Sequence, residues 1–269
     1  MRARLTEESV NYRTILIDDN PPIRTITLNR PERRNAMTHE MQAELISVLD
    51  ETAGGNWRVV ILTGAGEAFC SGLDLSELQA MQSKTIAEHR TDAERIAKLF
   101  VGLRELPIPT IAAVHGPAIA GGTGLAMACD FTLATPASKF GFTEVRIGFV
   151  PALVSAFLSL QVGEKRCRDL LLTGRLFDAA EAHQIGLIDE VVPHSELMVR
   201  AQALAETLLA NSPGSLKATK QLLIAQNRSW LDNAIVAALA ANAESRETVD
   251  FREGVAAFLE KRKPRWNTE

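Results

Sequence analysis

Two glycine-bearing segments carry the backbone chemistry of this sequence. The first runs Thr63-Gly64-Ala65-Gly66-Glu67-Ala68-Phe69-Cys70-Ser71-Gly72-Leu73-Asp74-Leu75. Its glycines permit turns that other residues resist, so such a loop can aim a free N–H outward. On that reading the Leu73 N–H is a donor to an oxygen anion. A connection that merely needs glycine would look the same. The second runs His115-Gly116-Pro117-Ala118-Ile119-Ala120-Gly121-Gly122-Thr123-Gly124 and leads into a helix start. The unpaired N–H groups there attract negative charge. Gly121 lets a ligand approach its backbone closely, with a structural glycine turn as the plainer alternative. Neither segment is a nucleotide loop. Phe69 stands where G-x-G-x-x-G needs its third glycine, and no Gly-Lys-Ser/Thr follows the second segment.

Each loop needs a strand to hold it. Residues 59–62, Val-Val-Ile-Leu, are continuously apolar, as expected for a strand covered on both faces. Residues 110–114 give a second buried strand and 131–134 a third. Upstream, residues 14–17 and 23–28 are β-prone, and Asp18-Asp19-Asn20-Pro21-Pro22 between them supplies turn chemistry for a hairpin. Thr38 can cap a helix reaching about Asp50, with Met41, Leu45, Val48 and Leu49 on its apolar face. Residues 85–106 read as a helix with Ile86, Ile96, Leu99 and Leu103 inward, stopped by Pro107 and Pro109. The alternation of strand, turn and helix predicts an α/β fold with crossovers. After Ser195 the strand signal ends. Residues 195–210, 213–226 and 229–260 read as three Ala- and Leu-rich helical stretches.

Composition narrows the function. The chain has 269 residues, 46% hydrophobic and 23% charged, which fits a globular protein and argues against disorder. Its formal net charge of −4 argues against general nucleic-acid binding, though local Arg and Lys could still meet an anionic ligand. Cys70, Cys129 and Cys167 are far apart and odd in number, so neither a disulfide framework nor a thiolate zinc site is expected. His39, His89, His183 and His194 show no metal-ligand spacing. Residues 1–8 are polar and lack the apolar stretch of a signal peptide. No apolar run reaches the length of a membrane span. A cytoplasmic protein without membrane association is expected.

Taken together, these segments resemble the crotonase (enoyl-CoA hydratase/isomerase) superfamily over nearly the whole chain. Asn29-Arg30-Pro31 with Asn35-Ala36 resembles its N-terminal signature. Residues 68–75 look like its first oxyanion loop and 111–130 like its second. Phe140-Gly141-Phe142-Thr143-Glu144-Val145-Arg146-Ile147-Gly148 resembles its catalytic-glutamate segment. Leu172-Thr173-Gly174-Arg175, Ala180-Glu181-Ala182 and Gly186-Leu187 resemble its next stretch. The resemblance implies a spiral of ββα turns over residues 1–195, carrying the CoA and catalytic site. It implies a helical trimerisation region over 196–269. It implies an acyl-CoA substrate, with coenzyme A as part of that substrate and no further cofactor. The N–H groups of Leu73 and Gly121 would hold the thioester oxygen, and Glu144 would be the acid/base. CoA contacts would come from Arg30, Arg34, Ala36, Ser71 and Asp74, and from Lys261 and Lys263 of the same or a neighbouring subunit. An ordinary solvated charge run is the alternative for the basic clusters. Asp74 also reads as a helix cap, Asp130 as a buried structural carboxylate and His115 as structural.

One departure bears on the chemistry. Typical hydratases of the family carry a second glutamate three residues after the donor glycine. Gly124 stands there in this chain. Ala152 stands where dienoyl-CoA isomerases place an aspartate. A single-glutamate enzyme is expected, an enoyl-CoA hydratase or isomerase. The alternatives are a catalytically weak acyl-CoA-binding protein, or other enolate chemistry such as decarboxylation or thioester hydrolysis. The pocket wall is expected to draw on residues 75–95. Leu204, Leu208, Leu209, Leu222, Leu223, Ile235, Val236 and Leu239 give the helical region more apolar surface than a lone appendage hides. A homotrimer or a dimer of trimers is therefore expected by light scattering at micromolar concentration. A monomeric mass would refute it.

Overall fold

The computed structural model describes residues 12–266. Residues 1–8, read above as lacking a signal peptide, lie outside that range. The described residues begin with a hairpin of β1 (Ile15–Asn20) and β2 (Ile23–Leu28), followed by α1 (His39–Gly54) and β3 (Val59–Gly64). Next come α2 (Leu75–Met81), α3 (Ile86–Glu105), β4 (Thr110–Val114) and β5 (Ala118–Ile119). Then follow α4 (Gly121–Ala128), β6 (Phe131–Ala134), β7 (Lys139–Gly141), α5 (Ala152–Thr173), β8 (Leu176–Asp178), α6 (Ala179–Gln184) and β9 (Glu190–Val191). The last elements are α7 (Leu197–Leu209), α8 (Pro213–Ser245) and α9 (Val249–Leu259).

The main sheet has six strands in the order β1-β2-β3-β4-β6-β9. Only β1 runs antiparallel to its neighbour; the other pairings are parallel. A three-stranded sheet, β5-β7-β8, stands beside it. The continuous apolar run of β3 serves two cores. Val60 and Leu62 pack into one with Met41, Leu45 and Phe100. Val59 and Ile61 pack into the other with Ala201, Ala205 and Leu208 of α7. A strand's side chains alternate between faces, so both faces of β3 must be apolar once both are covered. The late helix α7 supplies the second cover.

The structure moves several boundaries. The hairpin turn is shorter than expected, because Asp18, Asp19 and Asn20 belong to β1. Asp19 lies opposite Arg24 across the ladder and pairs with its guanidinium at 2.8 Å, so an acidic residue suits this half-solvated edge strand. The last three helical stretches are divided differently. Helix α8 continues through Asn227 and Arg228, where neither residue blocks a helix and Arg228 pairs with Glu105 at 2.8 Å. Ile86 is 53% exposed, at the first turn of α3 after its Thr85 capping box, while His89 and Asp92 take inward positions. In the helical region, Leu208 is buried and Leu204, Leu209, Ile235 and Leu239 pack on the two cores. Leu222, Leu223 and Val236 remain exposed. Among the described residues no helix is long and apolar enough to cross a membrane.

Asn35 fixes the first loop to this frame. It is fully buried at φ 54°, a conformation that asparagine tolerates better than most residues. Its Oδ1 accepts the Arg30 N–H at 2.8 Å, and its Nδ2 donates to the carbonyls of Ala65 at 2.9 Å and Ala68 at 2.7 Å. Removing the amide leaves three backbone groups unpaired, the Ala68 carbonyl among them fully buried and the other two partly so. Asn35→Ala is expected to cost roughly 2–4 kcal/mol, read from urea denaturation midpoints. A loss well under about 1 kcal/mol would show that these bonds do not anchor the loop.

Candidate active site

The two glycine segments meet back to back. Phe69 and Cys70 N–H groups both donate to the Pro117 carbonyl at 3.1 Å, and the Ile119 N–H donates to the Cys70 carbonyl at 2.9 Å. The first loop is also stitched to the chain before α1. The Met37 N–H donates to the Gly72 carbonyl at 2.7 Å, and the Asp74 N–H to the Met37 carbonyl at 3.0 Å. The approach is so close that side chains cannot fit between. A Cβ on Gly116 would stand 2.1 Å from the Glu67 carbonyl oxygen, and one on Gly122 would stand 2.1 Å from that of Cys70.

This packing leaves two N–H groups free. Gly121 is the first residue of α4, and Ala120 before it is held at φ 52° while its N–H donates to the Gly141 carbonyl at 2.7 Å. Among the described residues, neither the Gly121 nor the Leu73 N–H has a backbone acceptor. Both residues line one cavity of about 730 Å³. Donors without partners at such a wall stabilise an oxygen that gains negative charge.

Glu144 lines the same cavity. It opens a single 3-10 turn, Glu144–Ile147, and is 9% exposed. Its Oε2 has no hydrogen-bond partner among the described residues. Burial pushes its carboxyl up to about 7, with a smaller opposing effect from its own backbone N–H. An unpaired carboxyl titrating near neutrality is suited to taking and returning a proton.

The other expected residues divide. Arg34, Ala36, Ser71 and Asp74 join Leu73, Gly121 and Glu144 at the cavity wall. Asp74 caps α2 by accepting the Ser76 N–H at 2.9 Å, and with Arg30 at 2.8 Å this holds its carboxyl below the usual range against the opposing effect of burial. Arg30 is not in the wall. Its guanidinium turns inward to Asp74 and to the Ala36 carbonyl, so it braces the loop from behind. Lys261 and Lys263 are exposed and also lie outside the wall, while Arg262 between them lines it, held by Glu253 and Glu260. Asp130 is exposed rather than buried, yet structural: it accepts from the Thr110 N–H at 2.8 Å and from Lys220 at 2.6 Å. His115 stands 3.0 Å from the Gly66 carbonyl, and burial pushes its pKa down. From the expected 75–95 stretch only Leu75 and Leu78 reach the cavity. The wall continues instead through Ile96 and Phe100, with Asn242 and Arg246 of the C-terminal region. From sequence Asn35 enters only as part of the N-terminal signature, without a role, and Arg246 does not enter at all. An asparagine at a left-handed turn is a readable signal for the first, whereas nothing local marks the second.

The chain matches the family described as Enoyl-CoA hydratase/isomerase over residues 18–269. The chain belongs to this family. A Thermus thermophilus relative, provisionally named an enoyl-CoA hydratase, is 44% identical over 91% of this chain and 97% of its own length. The short-chain-enoyl-CoA hydratase of Clostridium acetobutylicum is 34% identical over 93% of this chain and 95% of its own. The crystal structure of an enoyl-CoA hydratase/isomerase from Xanthobacter autotrophicus superposes with a TM-score of 0.87 at 32% identity, covering 96% of this chain and all of the other. The fold is thus the crotonase fold, a mixed α/β core with a C-terminal helical region.

For an enoyl-CoA hydratase/isomerase, the surroundings of Gly124 matter. A Cβ there would meet Phe100 Cζ at 2.7 Å and Val154 Cγ1 at 3.1 Å. Two apolar side chains thus occupy the space a longer side chain would need, and Gly124→Glu alone would overpack the wall. Gly124→Glu is therefore expected to raise hydration only where Phe100 is trimmed as well.

The burial of Glu144 has a consequence for stability. Its ordinary pKa near 4.5 is raised to about 7 by folding, so the folded state holds the proton more tightly. The resulting stabilisation is full below about pH 4.5 and fades as pH rises through about 7. Relative to wild type, Glu144→Gln is expected to gain stability across that window, by roughly 3 kcal/mol at most. Thermal or urea unfolding from pH 4.5 to 8 checks this. Parallel curves for the two proteins would show that Glu144 is not desolvated.

Proposed function

We propose that this enzyme uses one carboxylate to move a double bond in an enoyl-CoA thioester, from β,γ to α,β, at least as readily as it hydrates one. The observation that carries this reading is the cavity's asymmetry: Glu144 stands unpaired in the wall, while Phe100 and Val154 fill the space beside Gly124. In the proposed reaction the Glu144 carboxylate takes a proton from Cα. The electron pair moves onto the thioester oxygen, which the Leu73 and Gly121 N–H groups stabilise. Each such donor contributes on the order of 3 kcal/mol. Protonation at Cγ by the same carboxyl closes the cycle and restores the base. Hydration asks more, because water must be positioned at Cβ while a proton is delivered at Cα. With one carboxylate the two tasks compete.

The CoA moiety is proposed to run along Arg34, Ala36, Ser71 and Asp74. Lys261 and Lys263, exposed on their own subunit, are proposed to meet phosphates of an adjoining one. The exposed Leu172, Val199, Leu222, Leu223 and Val236 support a homotrimer or a dimer of trimers.

Incubation with a 3-enoyl-CoA and with crotonyl-CoA, followed by mass and absorbance, tests the chemistry. Isomerisation is expected to match or exceed hydration. Its kcat/KM is expected to climb with pH to a plateau above about 7, as Glu144 ionises. Glu144→Gln is expected to lower both activities by about 10²–10⁴-fold while acyl-CoA binding persists. Fast crotonyl-CoA hydration surviving in that variant would mean that another group is the base.

A further inference from the structure

The cavity changes character along its length. Phe100, Ile96 and Asp92 follow one another at four-residue steps on α3, so they share a face over about 12 Å of helix axis. Phe100 stands against Gly124, beside the reacting end. Leu78, Leu153 and Val154 continue the apolar wall. Asp92 is not itself in the lining, but beside it the wall turns polar. Asn242 and Arg246, one turn apart at the C-terminal end of α8, both line the cavity.

Arg246 is 3% exposed and Asn242 is 4% exposed. The Nε and Nη1 of Arg246 have no hydrogen-bond partner among the described residues, and neither does Asn242 Oδ1. Arg246 Nη1 forms an ion pair with Asp92 at 3.7 Å, but at that distance makes no hydrogen bond to it. Asp92 is already engaged by Lys84 at 2.5 Å and Arg95 at 3.2 Å, and it faces His39 at 3.3 Å. The Arg246 guanidinium covers the Phe149 ring at 5.3 Å from its centroid. The Phe149 N–H in turn donates to the Glu144 carbonyl at 3.0 Å. The guanidinium is thereby tied to the segment that carries the base.

A guanidinium cannot shed its charge, and burying one with two donors unused is costly. A carboxylate offers two acceptors in the geometry that a guanidinium matches, and such bonds are about twice as strong as neutral ones. The Asn242 amide can add a donor by turning about its last bond. We propose that the acyl pocket accepts a chain ending in a carboxylate, that is, the CoA monothioester of a dicarboxylic acid, with Arg246 binding the distal carboxylate and Asn242 beside it. This rests on the acyl-CoA reading above and names its substrate class.

Two thioesters of equal chain length test it: glutaryl-CoA, which ends in a carboxylate, and pentanoyl-CoA, which ends in a methyl. Calorimetry on the full-length protein is expected to give glutaryl-CoA an advantage on the order of tenfold or more. Arg246→Met is expected to bring the ratio of the two affinities near or below one. Asn242→Leu keeps the charge and is expected to shrink the ratio by less; it serves also if Arg246→Met does not fold, which circular dichroism reports. Equal wild-type affinities overturn this inference and leave acyl-CoA binding standing. A preference that persists undiminished in Arg246→Met, or in Asn242→Leu where the arginine variant does not fold, also overturns it. If neither thioester binds, the acyl-CoA reading itself fails and takes this inference with it.

Discussion

The rest of the site depends on how closely two backbones lie. The loop after β3 and the loop after β4 exchange hydrogen bonds between Phe69, Cys70, Pro117 and Ile119. At Gly116 and Gly122 they touch with no room for even a methyl group. Backbone groups that bond to each other in this way are satisfied, and those at the loop tips are left over. The free N–H groups of Leu73 and Gly121 are therefore a product of the packing. The donors are backbone groups, so no side-chain functional group supplies them, although a Cβ at Gly121 would stand 2.6 Å from Met37 Cε. Asn35 and the Arg30–Asp74 pair hold the outer side of the first loop, so its tip cannot relax and recover a partner.

Glu144 stands in the opposite situation. Its neighbours leave its carboxyl with an unpaired oxygen, and that desolvation raises its pKa. Stability is given up at neutral pH to keep a carboxyl that titrates near 7 in the cavity wall. The segment bearing it can carry this cost because its backbone is tightly held. The Gly148 and Phe149 N–H groups bond back to residues 144 and 145, and α9 packs against the turn.

The helical region after β9 does more than extend the chain. Helix α7 covers the second face of the sheet, α8 packs along α3 and α5, and α9 closes the wall beside Glu144. The cavity thus depends on residues far apart in sequence. Phe100 from α3 and Val154 from α5 shut the space next to Gly124, while Asn242 and Arg246 from α8 set the polarity of the far end.

Much of this was written in local sequence. Glycine spacing marked both loops, the apolar runs marked β3 and β4, and Thr38 and Asp74 marked helix starts, because turns, buried strands and caps depend on residues only a few positions apart. Resemblance supplied the order of the segments and pointed to Leu73, Gly121 and Glu144. Local sequence could not say which charged groups face the cavity. Arg30 reads as a phosphate ligand until its guanidinium is seen turned onto Asp74, and Arg246 reads as one charge among many near the end of a long helix. Whether Gly124 leaves a hole or a filled wall was equally invisible. A side chain's electrostatic role is set by partners brought close through space, and those partners lie tens to more than a hundred residues away along the chain.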